Sequence, residues 1–127
     1  MKHWHKKRLL KLASFLETLH HKKFDFNIVR NECGTVGCAV GWTPNVFPRL
    51  VKINKKASNS KFNTKFRYGK EKYLNYIQVA ERSFGLRQYE VNALFLSWDN
   101  TLRKESELPN NPTPRQVAAN IRKFVNR

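Results

Sequence analysis

Two cysteines and two adjacent histidines are the residues of this 127-residue chain whose types could support metal binding or nucleophilic catalysis. Four residues separate Cys33 from Cys38, and His20 and His21 precede them. Zinc ligands usually come as tight pairs such as Cys-x2-Cys, so this spacing does not favour a metal site. A cysteine nucleophile would need a histidine beside it, and nothing in the sequence brings them together. We therefore predict no metal, no cofactor and no catalytic residue, and interpret both cysteines as small buried residues of a protein from a reducing, intracellular environment.

Positive charge is the strongest functional signal in the sequence. The chain has 25 Lys and Arg against 9 Asp and Glu, which gives a formal net charge of +16. A small polycation is attracted to nucleic-acid phosphates, anionic membranes or strongly acidic proteins. Much of the charge lies in residues 49–70, here called the basic segment, which contains no acidic residue. Its bases are Arg49, Lys52, Lys55, Lys56, Lys61, Lys65, Arg67 and Lys70.

Aromatic residues alternate with these bases, at Phe62, Phe66 and Tyr68 and, just beyond the segment, at Tyr73. Cations that neutralise phosphates beside rings that stack on bases are typical of nucleic-acid-binding surfaces. We predict that the bases of the segment contact phosphates and that Phe62, Phe66 or Tyr68 stack on nucleobases. Sequence specificity is not expected, because phosphate contacts carry no sequence information. The alternative is that Phe62 and Phe66 form the buried face of a hairpin whose solvated face carries the lysines.

The elements that must position the basic segment can be predicted from periodicity. A strand over residues 50–56, a turn at 57–60 and a return strand over 61–68 predict a β-hairpin, with a disordered basic loop as the alternative. The rest of the chain has mostly helical periodicity. Helices are predicted over 3–20, 70–84 and 88–98, and a last one starts at Pro114, with Thr113 and Gln116 as a capping box. The residues predicted on their buried faces include Leu9, Leu12 and Leu16 in the first helix, Tyr73 and Leu74 in the second, and Val117 and Ile121 in the last.

Residues 33–42 are the least polar ten-residue window and are predicted to form the central element. In a helix, Gly34, Gly37 and Gly41 would lie on one side and let another backbone approach closely. Because a glycine inside a helix costs about 0.5–1 kcal/mol relative to alanine, several of them need a packing reason. The predicted core residues of this element are Cys33, Gly34, Gly37, Cys38, Gly41 and Trp42. The overall prediction is a single α+β domain over residues 1–127, with about five helices around this buried helix and one small hairpin.

Two other interpretations of the sequence are less favoured. Residues 73–98 could form a helix-turn-helix, but Ala80 and Gly85 are five positions apart where that motif prefers four, so a helical hairpin of the core is the better reading. The basic N-terminus followed by Leu9 and Leu10 only weakly resembles a signal peptide, because no cleavage site follows. No window reaches the ~18 apolar residues that a membrane span needs.

Four segments of the chain match short motifs of one protein family and occur in the same order as in that family. They are residues 9–17, 33–42, 84–86 and 113–118. In these segments the chain resembles a family of small uncharacterised proteins from bacteria and their phages, whose central motif is Cys-Gly-Thr-Val-Ala-Cys-Ala-x-Gly-Trp. The family has no established activity, so the resemblance implies no catalytic or binding residue. Gly37 replaces the usual alanine, Arg87 replaces a usual Ser or Thr, and the charge on residues 49–72 is heavier than is typical. The resemblance therefore implies a shared scaffold whose function in this member lies in the added charge.

Together these observations predict a small intracellular protein, of bacterial or phage type, that binds DNA or RNA through the basic segment. Its expected location is the interior of a bacterial or host cell, or a virion. Two alternatives remain open. One is a phage-encoded inhibitor or accessory protein that binds an acidic surface of a host complex, and the other is a minor structural protein of a virion.

Overall fold

A computed structural model describes residues 2–31, 34–58, 63–95, 109 and 111–127. In these residues, five helices and a three-stranded antiparallel sheet confirm the predicted α+β fold. The helices are α1 (His3–Thr18), α2 (Thr43–Val46), α3 (Tyr76–Phe84), α4 (Gln88–Phe95) and α5 (Pro114–Val125). The strands are β1 (Val51–Ile53), β2 (Phe66–Tyr68) and β3 (Glu71–Leu74), in the order β1-β2-β3. No helix in the described part of the chain is both long enough and apolar enough to cross a membrane.

The two terminal helices pack on each other and supply much of the core. Leu9, Leu12 and Leu16 recur at helical spacing on α1 and are completely buried. Their main neighbour is α5, which buries Val117 and Ile121 on its facing side. The helical periodicity of both segments therefore predicted their buried faces correctly.

Capping boxes fix the start of two helices. The predicted box at α5 is confirmed, since the Gln116 backbone N–H donates to Thr113 Oγ1 at 3.1 Å and the Thr113 N–H donates to Gln116 Oε1 at 2.9 Å. An equivalent box starts α3, where Asn75 and Gln78 exchange hydrogen bonds of 2.9 Å. Each box pairs backbone donors that a helix otherwise leaves without partners.

The predicted helix over 70–84 is wrong in its first six residues, because Glu71–Leu74 forms β3. A turn at Gly69, whose φ of 59° suits glycine, folds the chain back after β2. The capping box at Asn75 then delays the helix until Tyr76. As a result, the predicted hairpin is present in β1 and β2 but gains a third strand. Tyr73, which was expected to be buried on a helix, is 71% exposed.

The central helix predicted for residues 33–42 is also wrong. Gly37 forms extended bridges with Phe24 and Arg30, and its N–H donates to Lys23 O at 3.1 Å. Gly34 has a left-handed φ of 71°, which a helix cannot contain. Only Val40–Trp42 makes a short 3-10 turn.

The glycines of this segment nevertheless let another part of the backbone approach closely, as predicted. A Cβ at Gly37 would lie 2.6 Å from the Val29 carbonyl oxygen, and a Cβ at Gly41 would overlap that same oxygen. Small residues at positions 37 and 41 therefore let the backbone of Val29 pack closely against this segment, but Gly37 lies in an extended bridge and Gly41 in the 3-10 turn rather than in one helix. Gly37, Cys38, Gly41 and Trp42 are buried, Gly34 is half-exposed, and Cys33 lies outside the described residues.

Arg30 holds this segment together, a role that the sequence did not indicate. Its guanidinium donates to the Gly34 carbonyl at 2.6 Å, to the Gly41 carbonyl at 2.8 Å and to Asn45 Oδ1 at 2.9 Å. It also lies over the Trp42 ring, 3.9 Å from the ring centroid. Partial burial lowers the pKa of Arg30, because desolvation disfavours the charged guanidinium.

Candidate nucleic-acid interface

The sheet has one packed face and one open face. Val51, Phe66 and Leu74 point to the packed side, where α3 contacts β2 and β3, and each of them is at most 5% exposed. Since successive side chains of a strand alternate between faces, the residues beside them must point to the opposite side. The described residues at these alternate positions are exposed.

Three of these exposed residues form a row across the open face, here called the outer row. Lys52 of β1 pairs directly with Arg67 of β2. Because Phe66 pairs with Leu74, Arg67 lies beside Tyr73 of β3. A register shift between Phe66 and Tyr68 places one extra residue of β3, Lys72, in the same region. The outer row therefore consists of two cations followed by an aromatic ring.

Within the described part of the chain, the cations of the outer row form no ion pair with a carboxylate. Among the residues that the structure describes, no base between positions 49 and 70 forms an ion pair. Glu71, the acid of β3, is held instead by Arg82 of α3 at 3.0 Å. Like charges directly opposite each other in a sheet are destabilising. Lys52 and Arg67 are therefore two like charges held in register on the open face.

Residues 54–57, here called the lysine turn, extend the positive surface beyond β1. Lys55 and Lys56 are exposed at its tip, whereas Asn54 is only 4% exposed. The Asn54 side-chain amide donates to the Lys72 carbonyl at 2.6 Å, and its backbone N–H donates to the Lys65 carbonyl at 2.8 Å. The Ser58 hydroxyl accepts from the Lys65 N–H at 2.9 Å. These bonds tie the turn to the sheet, so the two lysines project from an anchored support.

The remaining predicted site residues differ in their accessibility. Arg49 and Lys70 are exposed, and Lys65 is half-buried. Phe66 is completely buried, so its prediction as a stacking group is wrong, and the alternative of a buried hairpin face is correct for this residue. Tyr68 is half-buried, and its hydroxyl lies 3.3 Å from Arg8 Nη1, which donates to it. Lys61 and Phe62 lie outside the described residues.

A second group of bases lies at the start of the chain, before and within α1. The group comprises Lys2, Lys6, Lys7, Arg8 and Lys11, and the first acid of the chain is Glu17. Arg8 donates to the Tyr68 hydroxyl and to the Ser83 carbonyl, the latter at 3.0 Å, and Lys11 Nζ lies 5.6 Å from the centroid of the Phe47 ring. Because Tyr68 pairs with Val51, Arg8 contacts the packed side of the sheet and not the open face that carries the outer row. Charge composition alone could have suggested these bases, but not the contact of Arg8 with β2.

Among the described residues, the cysteine side chain is buried and the two adjacent histidines are exposed. Burial raises the pKa of the Cys38 thiol to about 11, so the thiol is protonated at neutral pH. His20 and His21 stack on each other, with ring centroids 4.4 Å apart, on the exposed surface after α1. No three His, Cys, Asp or Glu side chains of the described ranges are grouped so that they could hold a metal ion.

No protein-family model, curated protein or solved structure matches this chain. The resemblance to small bacterial and phage proteins therefore stays a prediction.

Proposed function

We propose that this protein binds nucleic acid and that the outer row and the lysine turn contact phosphates without strong sequence specificity. The bases assigned to phosphate contacts are Lys52, Lys55, Lys56 and Arg67, with Arg49 and Lys70 at the ends of the same surface. DNA and RNA share the phosphate chemistry on which the proposal depends. The chain needs no catalytic residue or cofactor for this role.

The observation that carries the proposal is that Lys52 and Arg67 lie directly opposite each other on the open face of the sheet. Among the described residues, neither of them forms an ion pair. Two cations held in register repel each other in the free protein, and an anion placed between them removes that repulsion. A phosphate suits the pair because an arginine guanidinium can donate two parallel hydrogen bonds to it, while lysine acts as a compact charge. The anchored lysine turn adds two further cations on the same ribbon.

A repeating anion fits this arrangement better than a single ion does. Neighbouring strands are about 4.8 Å apart, so Lys52 and Arg67 are separated by about one such spacing, and Lys55 and Lys56 continue the row of cations along the chain beyond β1. A phosphodiester backbone presents charges at regular intervals along such a path and releases bound counterions when it is neutralised. These bases are exposed and form no ion pair among the described residues, and this supports nucleic acid as the partner.

The proposal can be tested with two variants of equal net charge. In the first, Lys52, Lys55, Lys56 and Arg67 are all changed to Gln. In the matched control, four exposed bases on other elements are changed to Gln, namely Lys22, Lys23, Arg87 and Arg115. Fluorescence anisotropy at ~50 mM salt with labelled DNA and RNA oligonucleotides should show a loss of affinity of at least about 10-fold for the first variant and a much smaller loss for the control.

Two results would count against the proposal. Equal affinity losses in both variants would mean that total charge, rather than the outer row and the lysine turn, governs binding. An absence of binding to any oligonucleotide by the wild-type protein at ~50 mM salt would reject nucleic acid as the partner. A pull-down that then recovered a tight complex with an acidic protein would favour the inhibitor or accessory role instead.

A further inference from the structure

Tyr73 is an exposed aromatic side chain with no structural partner in the part of the chain that the structure describes. It is 71% exposed and makes no hydrogen bond or ring contact there. Tyr73 lines a shallow depression of about 380 Å3 together with Lys70, Glu71, Lys72, Leu74 and Gln78. A single exposed aromatic side chain is ordinary on a protein surface, so what distinguishes Tyr73 is its position beside Arg67 in the outer row.

We propose that Tyr73 stacks on an unpaired nucleobase, so that this surface prefers single-stranded nucleic acid to duplex. The inference rests on the proposed function and specifies its ligand. In the outer row, Tyr73 lies next to Arg67, which in turn pairs with Lys52. A base on the ring would therefore have its neighbouring phosphates within the region of these cations.

The preference for single strands follows from which surfaces a base exposes. In a duplex, each base is covered on both faces by its neighbours, and only its edges are accessible in the grooves. A tyrosine could then stack only after a base had been unstacked or flipped, which costs a few kcal/mol. In a single strand the faces are already accessible, and stacking on an aromatic side chain is tolerant of sequence.

The test compares Tyr73→Ala with two controls. Tyr73→Phe keeps the ring and removes only the hydroxyl, and Tyr89→Ala removes a tyrosine that is also exposed, at 51%, but lies on α4. Each protein is titrated with three oligonucleotides of about 12 residues, a length within the usual site size. They are an oligothymidine, a duplex, and a strand of the same length that has abasic sites throughout and so retains only the phosphates.

Tyr73→Ala should weaken binding of the oligothymidine by about 10-fold and leave binding of the duplex and the abasic strand unchanged. Tyr73→Phe and Tyr89→Ala should both bind like the wild type. An unchanged affinity of Tyr73→Ala for the oligothymidine, or an equal loss with all three ligands, would overturn the stacking role. In that case continued binding of the wild type to all three ligands would leave the proposed function intact, whereas no binding by the wild type would reject both.

Discussion

At the scale of single residues, Gly41 is the position where the packing requirement is most severe. A side chain there would overlap the Val29 carbonyl oxygen, which belongs to a backbone and cannot rotate away as a side chain would. Gly37 faces the same oxygen at a hypothetical Cβ distance of 2.6 Å. The absence of a side chain at these two positions therefore allows residues 24–30 to pack against the central segment.

We predict that Gly41→Ala lowers the free energy of unfolding by about 3 kcal/mol or more, because overpacking of this kind typically costs 1–3 kcal/mol even where neighbours can move. Urea denaturation followed by circular dichroism would measure the change. Gly69→Ala is the matched control, since nothing lies within 4 Å of a Cβ at that position and only its left-handed φ is strained. That strain costs about 1–2 kcal/mol. A smaller loss for Gly41→Ala than for Gly69→Ala would show that the close approach to Val29 does not exist.

The residue scale also shows what composition can and cannot indicate. The bases of residues 49–70 could be identified by counting charges, and most of those described are exposed. Tyr73 was expected to be buried and is exposed, whereas Phe66, for which a stacking role and a buried hairpin face were both open, is buried. A phenylalanine or tyrosine beside lysines has the same local sequence in either case, and only the pairing of the strand decides which face it occupies.

At the scale of elements, the sheet depends on Asn54, a buried polar residue that connects β1 to the strands beside it. We predict that Asn54→Ala lowers the free energy of unfolding by about 1–3 kcal/mol, because it leaves the Lys72 carbonyl without its side-chain donor. The variant should also weaken binding to oligonucleotides, since the lysine turn loses its anchor. Urea denaturation and anisotropy would measure the two effects.

Asn126→Ala, a substitution of an exposed asparagine at the end of α5, provides the control for Asn54→Ala and should change stability by less than about 0.5 kcal/mol. If the two substitutions had equal effects, Asn54 could not be an anchor of the sheet.

Comparison of the helices and strands shows which of them local sequence can predict and which it cannot. The capping box at Thr113 was predictable because all of its hydrogen bonds join residues within one turn of helix. β3 was missed because Tyr73 and Leu74 also fit the apolar face of a longer helix, and its partners in β2 lie on the other side of the Gly69 turn. The helix assigned to residues 33–42 failed for a related reason, since small residues permit close packing of an extended segment as well as of a helix.

At the scale of the whole molecule, a net charge of +16 will attract any polyanion, so the salt dependence of binding matters more than its strength at one salt concentration. Each phosphate contact on a single strand contributes about 0.7 to the slope of log K against log salt concentration. We predict that the variant lacking Lys52, Lys55, Lys56 and Arg67 has a slope smaller than that of the wild type by about 3. Titrations at several salt concentrations would measure it.

The control variant of equal net charge should keep a slope close to that of the wild type, because its altered bases lie outside the outer row and the lysine turn. Equal reductions of the slope in both variants would indicate that contacts are distributed over the whole surface. The exposed bases of α1, namely Lys6, Lys7 and Lys11, would then be the next residues to change.

The sequence by itself determined the features that depend on neighbouring residues or on composition: the buried stripe of α1, the start of α5, the close packing at Gly37 and Gly41, and the concentration of bases in residues 49–70. Only the tertiary structure decided which of those bases stand together and which aromatic ring accompanies them. The outer row exists because Lys52, Arg67 and Tyr73 come from three different strands, and their proximity follows from hydrogen-bonded register between segments. Register is fixed by the burial of Phe66 and Leu74 against α3 and of Val51 in β1, which contacts α2, and this non-local free energy is expressed by no single stretch of sequence.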